Sequence, residues 1–285
     1  MTLDDWYSGG EFFTWKGHSI FVRDSGERSK PALLVVHGFP TASYDFHLMW
    51  SALAHTHRVL AFDMLGYGYS DKPAEWVHSI FNQASIAESL LAHKGVGTCE
   101  VLAHDVGNTV VQELMARQSE GKLGFVMRHI TFLNGGLFPE THRPILIQKL
   151  MLSPLGPMMA RFTQHATLRS NLQRICSSGL SEEDIDAAWT LLSHKQGNLR
   201  MHLLIRYMTE RQENRDRWVG ALQCSPAPIA LIDGVEDPIS GGHMVDRFEE
   251  LVPGHRVVRL HGLGHYPHLE NPARVLEAFY VPKSA

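Results

Sequence analysis

The sequence lacks most of the features that tie a protein to a surface or a polymer. It has no block of basic residues, and its net charge is −4. Nucleic acid and anionic membrane surfaces are therefore not expected as partners. No apolar run approaches the length that crosses a bilayer. The opening residues, Met1-Thr2-Leu3-Asp4-Asp5, are acidic and lack the basic-then-apolar pattern of a leader. Only three cysteines are present, Cys99, Cys176 and Cys224, far apart and odd in number. That argues against a disulfide framework and predicts reduced thiols in a cytoplasmic protein. Internal repeats and low-complexity segments are absent. With 44% hydrophobic and 20% charged residues in 285, the composition is that of one large globular α/β unit, or a core with an inserted subdomain.

Along the chain, Glu11 to Trp15 and Ser19 to Arg23 read as two short strands joined at Lys16-Gly17-His18. Ala32 to Val36 is a continuous apolar run, typical of a strand covered on both faces. It is followed by a helix over Tyr44 to Ala54 and a strand over Arg58 to Phe62. A helix over Ile80 to His93, a strand over Cys99 to Ala103 with a helix behind it, and a strand over Ile130 to Leu133 come next. This alternation predicts a doubly wound, mostly parallel sheet with helices on both faces. From Pro139 to Leu222 strand signals vanish. Ser181-Glu182-Glu183-Asp184 resembles a capping box opening a helix to His194, and Leu199 to Arg211 reads as another helix. The alternation resumes with strands at Ile229 to Ile232 and Arg256 to Leu260, and helices at Gly242 to Leu251 and Ala273 to Tyr280. The expected organisation is a core over 1–138, an inserted helical cap over 139–222, and the rest of the core over 223–285. Such a cap lies over the carboxyl ends of the strands, where ligands bind.

One further absence is the most informative. At the strand-to-helix turn Val101-Leu102-Ala103-His104-Asp105-Val106-Gly107-Asn108, small residues flank a single exposed position, as in a nucleophile elbow. The usual Ser is missing, and Asp105 stands in its place. Asp is also a good helix N-cap, so the turn by itself leaves two readings open.

Three other strand ends bear on the choice. Gly234-Val235-Glu236-Asp237-Pro238 offers an acid; Asp237 fits the spacing, with Glu236 as its neighbour and rival. Gly262-Leu263-Gly264-His265-Tyr266-Pro267 offers His265, in competition with His261 and His268. The order nucleophile, acid, histidine is that of the α/β-hydrolase triad. His37-Gly38-Phe39-Pro40 lies where the second oxyanion donor arises, which assigns an oxyanion hole to the backbone N–H groups of Phe39 and Val106. The spacing His261, His265, His268 imitates a metal site, but Gly262 and Gly264 indicate a loop, so no metal and no cofactor are expected. A carboxylate is ionised at neutral pH and needs no base to attack. It is poorly suited to acyl transfer and well suited to displacement at saturated carbon. The product is an alkyl ester on Asp105. His265, oriented by Asp237, then activates a water that attacks the ester carbonyl.

At these residues the chain resembles the α/β-hydrolases of the epoxide hydrolase and haloalkane dehalogenase group, over nearly its whole length. His37-Gly38-Phe39-Pro40 matches the HGxP motif of epoxide hydrolases, and His104-Asp105-Val106-Gly107 matches the His-Asp-x-Gly of both. His37, Gly38, Pro40 and His104 are thereby implied as supporting residues. Within that group it is similar to the mesoderm-specific transcript protein-like hydrolases. Tyr67-Gly68-Tyr69-Ser70-Asp71-Lys72-Pro73, the run Asn134 to Pro144 and Arg217-Trp218-Val219-Gly220-Ala221-Leu222 carry that likeness. Dehalogenases place a Trp after the nucleophile to hold the halide. Here Val106 stands there and Phe39 supplies no second side-chain donor, which disfavours halide release. Epoxide hydrolases use two cap tyrosines on the epoxide oxygen. The resemblance implies Tyr207 as one, with His142 or His165, or nothing, as its partner. The leading expectation is therefore hydrolysis of small to medium apolar epoxides to vicinal diols by a monomer or homodimer, with a small apolar molecule and water as its partners. Haloalkane dehalogenation, esterase or lactonase action, and a non-catalytic protein retaining these residues stand as alternatives.

Overall fold

The apolar runs form one eight-stranded sheet. Its strands are β1 (Gly10–Trp15), β2 (His18–Asp24), β3 (Ala32–Val36), β4 (Arg58–Phe62), β5 (Thr98–Ala103), β6 (Val126–Phe132), β7 (Ile229–Gly234) and β8 (Arg256–Leu260). Their order is β1-β2-β4-β3-β5-β6-β7-β8. The β1–β2 hairpin and its join to β4 are antiparallel, and every later pairing is parallel. The computed structural model describes residues 1–75, 77–143 and 146–281. Pro144, the end of the motif that begins at Asn134, falls outside them.

Sequence patterning accounts for the two faces. All five residues of β3 and of β4 are buried, as are all six of β7, because helices cover both sides. Along β3, Leu34 and Val36 join one apolar cluster and Leu33 and Val35 the other, as a period of two requires. The hairpin turns at Lys16 and Gly17, both with positive φ, the conformation that matches strand twist in a two-residue turn.

The helices before β6 are α1 (Leu3–Ser8), α2 (Trp50–Thr56), α3 (Ile80–His93) and α4 (Val106–Ser119). Between β6 and β7 every described regular element is helical. The segment runs from a 3₁₀ turn at Pro139–Thr141 through α5 (Leu146–Leu152), α6 (Gly156–Ala160), α7 (His165–Ile175) and α8 (Glu182–Ser193). A 3₁₀ segment at His194–Arg200, then α9 (Met201–Leu204), α10 (Tyr207–Glu213) and α11 (Arg215–Gln223) complete it. Next come α12 (Gly242–Leu251), α13 (Pro267–Glu270) and α14 (Pro272–Tyr280). Ser181 caps α8 by accepting from the Asp184 N–H at 3.1 Å.

Two expected helices are broken, each for a visible reason. The stretch over Tyr44 to Ala54 is a 3₁₀ turn at Ser43–Phe46 followed by α2. Asp63 accepts from both the backbone N–H and the hydroxyl of Ser43, and such side-chain bonds compete with helix propagation. The stretch over Leu199 to Arg211 is split into the end of a 3₁₀ segment, α9 and α10. The joint before Tyr207 is closed by tight three-residue backbone bonds such as Arg206 N–H to Leu203 O, and Lys195 and Gln196, with positive φ, stop any extension of the helix toward α8.

Candidate active site

The strand order reverses around β3 and β5, which lie side by side and lead into helices on opposite sides. In such sheets the crevice at the carboxyl ends of these strands is the binding position. Asp105 follows β5 there, with φ 48° and ψ −111°, a strained backbone for a residue with a side chain. The strain is held by close packing. A Cβ on Gly107 would lie 2.3 Å from the Val36 carbonyl oxygen, and one on Gly135 would lie 2.7 Å from the Asp105 Cα. Asp105 occupies the first position before α4, yet its side chain makes no capping bond to that helix. Its Oδ2 instead accepts from the Phe39 N–H at 2.9 Å. Val106 is the first residue of α4, so its N–H has no carbonyl of its own helix to pair with.

The loop after β3 is fixed from behind. Met64 N–H donates to His37 Nε2 at 3.0 Å, and His37 Nδ1 lies 2.8 Å from the Gly38 carbonyl. That pattern sets the tautomer with the proton on Nδ1. Burial lowers the His37 pKa and keeps it neutral. The Phe39–Pro40 peptide is cis. His104, fully buried, donates from Nε2 to the His265 carbonyl at 2.8 Å. It thus ties the elbow to the loop after β8.

Asp237 and His265 meet. His265 Nδ1 lies 2.6 Å from Asp237 Oδ2, and both residues are buried. Glu236 is exposed and His261 is exposed, while His268 stacks on Phe46. The alternatives for acid and base are thereby separated in space. Burial alone would raise Asp237, but the His265 charge and several donors outweigh it and bring the carboxyl down to about 2. Those donors are the Ser240 hydroxyl at 2.7 Å, the Ile239 N–H at 2.8 Å and the Asn134 side-chain amide at 3.2 Å. Burial likewise opposes the His265 charge, yet Asp237 first and Asp105 after it push its pKa up to about 9.

Asp105, His265, Tyr207 and His142 line one cavity of about 740 Å³, its opening included, whose remaining wall is mostly apolar. Tyr207, 3% exposed, comes from the start of α10. Burial and the Asp105 charge raise its hydroxyl far above the ordinary value, and Arg211 pulls it back in part. His142 has both ring nitrogens buried without a hydrogen-bond partner among the described residues. Burial brings it down to about 3, so it is a neutral imidazole. His165 is elsewhere, on the surface against Asp186 at 2.7 Å, and is no partner for Tyr207.

Several residues here were given no role at the site by the sequence. Arg211, 2% exposed, places its guanidinium 5.0 Å from the Tyr207 ring centroid and donates twice to the Thr109 hydroxyl. Asn134 accepts from Gly234 N–H at 2.7 Å and donates to Asp237, while its carbonyl accepts from Asp105 N–H at 2.8 Å. Ser240, three residues after Asp237, sits at turn spacing that was open to reading. Behind the site, Asp45, His104 and His268 bring ligand atoms within 4.8 Å of one another. His104 Nδ1 and both His268 nitrogens have no hydrogen-bond partner among the described residues. No hydrogen bond joins the three, whereas the ligands of a tetrahedral zinc stand roughly 3.4 Å apart.

A twisted sheet with an Asp at its sharpest strand-to-helix turn, and a paired acid and histidine at later strand ends, defines a hydrolase of the α/β class. The chain belongs to the alpha/beta hydrolase family, whose model matches residues 33–278. It is 39% identical to the mesoderm-specific transcript homolog protein of Bos taurus, over 97% of this chain and 86% of that one. It is 38% identical to LipZ of Mycobacterium tuberculosis, over 97% of this chain and 96% of that one. Among solved structures, the haloalkane dehalogenase DbeA from Bradyrhizobium elkani superposes with a TM-score of 0.80 at 21% identity, over 95% of each chain.

Proposed function

We propose that the protein hydrolyses epoxides to vicinal diols through an alkyl ester on Asp105, with the helical segment over 139–222 acting as its cap. The observation that carries this reading is the state of Asp105. Its carboxylate leaves the helix uncapped, accepts the Phe39 N–H, and shares an apolar cavity with His265 and Tyr207.

The chemistry follows from the geometry. Asp105 Oδ2 is held by Phe39, so Oδ1 is the attacking oxygen. It forms a bond to an epoxide carbon, the carbon–oxygen bond breaks, and the released oxygen takes the Tyr207 proton. The neutral His142 serves as a hydrogen-bond donor to the same oxygen, in the place of a second tyrosine. Arg211, over the Tyr207 ring, steadies the negative charge that develops there. The Asp105 charge is consumed by ester formation, and with it one of the influences that hold His265 protonated. The loss makes His265 a better base at the moment one is required. A water gives its proton to His265 and attacks the Asp105 carbonyl carbon. The N–H groups of Phe39 and Val106 receive the oxyanion. Collapse expels the diol as its alkoxide, which takes the proton from His265. The Asp105 carboxyl left behind gives up its remaining proton, by which the Tyr207 phenolate is reprotonated, and both groups are restored.

Dehalogenation is less well served. Among the described residues lining the cavity there is no Trp, and Val106 has no donor side chain. The test is trapping. His265→Gln, mixed with a panel of aryl and alkyl epoxides, is expected to accumulate an adduct on Asp105 equal to the epoxide mass. Bromoalkanes are expected to give none. Adducts from bromoalkanes alone would replace this reading with dehalogenation.

A further inference from the structure

The overall charge of −4 argues against an anionic surface as a partner, but the charge is not spread evenly. From Thr141 to Ser181 there is no acidic residue, while Arg143, Lys149, Arg161, Arg169 and Arg174 are present. That is +5 in a chain of −4, so the remainder carries −9. Arg169 is paired with Glu182. Among the described residues Arg143, Lys149, Arg161 and Arg174 make no ion pair, and all four are exposed.

The same stretch holds a concentration of exposed apolar side chains. Leu146 is 72% exposed, Phe162 64%, Leu155 51%, Met158 50% and Leu152 36%. Soluble surfaces carry such residues singly, and a cluster of them marks an interaction site. Their spacing is regular. Leu146, Lys149 and Leu152 recur every three residues along α5, and Leu155, Met158 and Phe162 recur along and beyond α6. The opposite sides of these helices are committed to the interior, with Met151 on the cavity and Gly156 and Ala160 buried. The apolar residues are therefore not spare core.

This face also adjoins the way into the cavity. Met151, Thr163, Leu168 and Leu172, all within the same stretch, line the cavity. The exposed Thr167 and half-buried Asn171 line it too, which places its opening along α7.

We propose that α5, α6 and the start of α7 dock on an anionic lipid surface, so that the cavity takes substrates dissolved in the membrane. Apolar side chains flanked by unpaired cations are the composition of an interfacial element. No described helix is long and apolar enough to cross a membrane. The inference rests on the cavity and its rim, and not on which bond is cleaved within it.

The test is co-sedimentation of the full chain with vesicles of phosphatidylcholine alone, or of phosphatidylcholine with 30 mol% phosphatidylglycerol. Binding to the anionic vesicles at low salt is expected, with a loss of at least about fivefold per cation reversed in Lys149→Glu and Arg161→Glu. The double variant Leu155→Asp/Phe162→Asp is expected to lose binding while keeping the wild-type melting temperature, since both side chains are exposed. The salt dependence of the unmutated protein provides a reading independent of whether a variant folds. Absence of wild-type binding to anionic vesicles at low salt would overturn the proposal, as would binding that none of these substitutions changes. A dimer in solution that the apolar double variant dissociates, with no vesicle binding, would assign the face to a second copy instead.

Discussion

At the scale of single residues the account turns on charge placement. Asp105 and Asp237 are two buried carboxylates to which the proposed cycle gives opposite duties, and their neighbours separate them. Asp237 is enclosed by donors and by the imidazolium of His265, while Asp105 accepts one N–H and borders an apolar cavity. Asp237→Asn tests this division. The substitution removes the largest influence raising His265, whose pKa now stands at about 9, so that value must fall. In the proposed cycle ester breakdown needs neutral His265 and rises with pH, so its midpoint moves toward acid in the variant. Its maximal rate drops by about 10⁴, because the ring loses its orienting acceptor. Single-turnover hydrolysis of the ester across pH 5 to 10 measures both. An unchanged midpoint would mean that Asp237 does not act on His265.

The same residues show what the sequence made legible. Asp105, Asp237, His265 and the Phe39 loop each sit in a short motif just past a strand, so local pattern sufficed to find them. Asn134 and Arg211 did not announce themselves. Asn134 reaches Asp237, and Arg211 reaches Thr109, over more than a hundred residues of chain. Nothing local distinguishes a buried Arg in an amphipathic helix from one on its solvent face.

At the scale of elements, the elbow works because neighbouring backbone leaves no space for it to relax. A Cβ at Gly107 would meet the Val36 and His37 carbonyls at 2.3 and 2.7 Å, and both belong to rigid backbone at the end of β3. Gly107→Ala is therefore expected to cost about 1–3 kcal/mol and to displace the Phe39 loop. Urea unfolding gives the first quantity and the rate of Asp105 alkylation the second. A variant with unchanged stability and rate would show that the elbow is not held by this packing. Element boundaries were read well where burial is continuous, as in β3 and β4. They failed where other bonds compete with the helix, those of the Asp63 side chain at Ser43 and the short-range backbone bonds at the joint before Tyr207. Those competitors lie elsewhere in the chain or act through backbone angles that periodicity does not encode.

At the scale of the molecule, the fold and the place of the candidate site were legible and the surface was not. Strand–helix alternation and the order of the four strand-end motifs specify the sheet and the crevice. The net charge of −4 averages away a basic, apolar face beside the cavity. A running count of charge along the chain separates the two where a total cannot. What joins the scales is one claim, that the whole architecture presents a carboxylate as a nucleophile. A single turnover of an epoxide in water enriched in heavy oxygen tests it most directly. The label is predicted in the Asp105 side chain, detected in its peptide by mass spectrometry, and not in the first diol released. Label in that diol with none in Asp105 would mean direct attack by water, and would contradict the account.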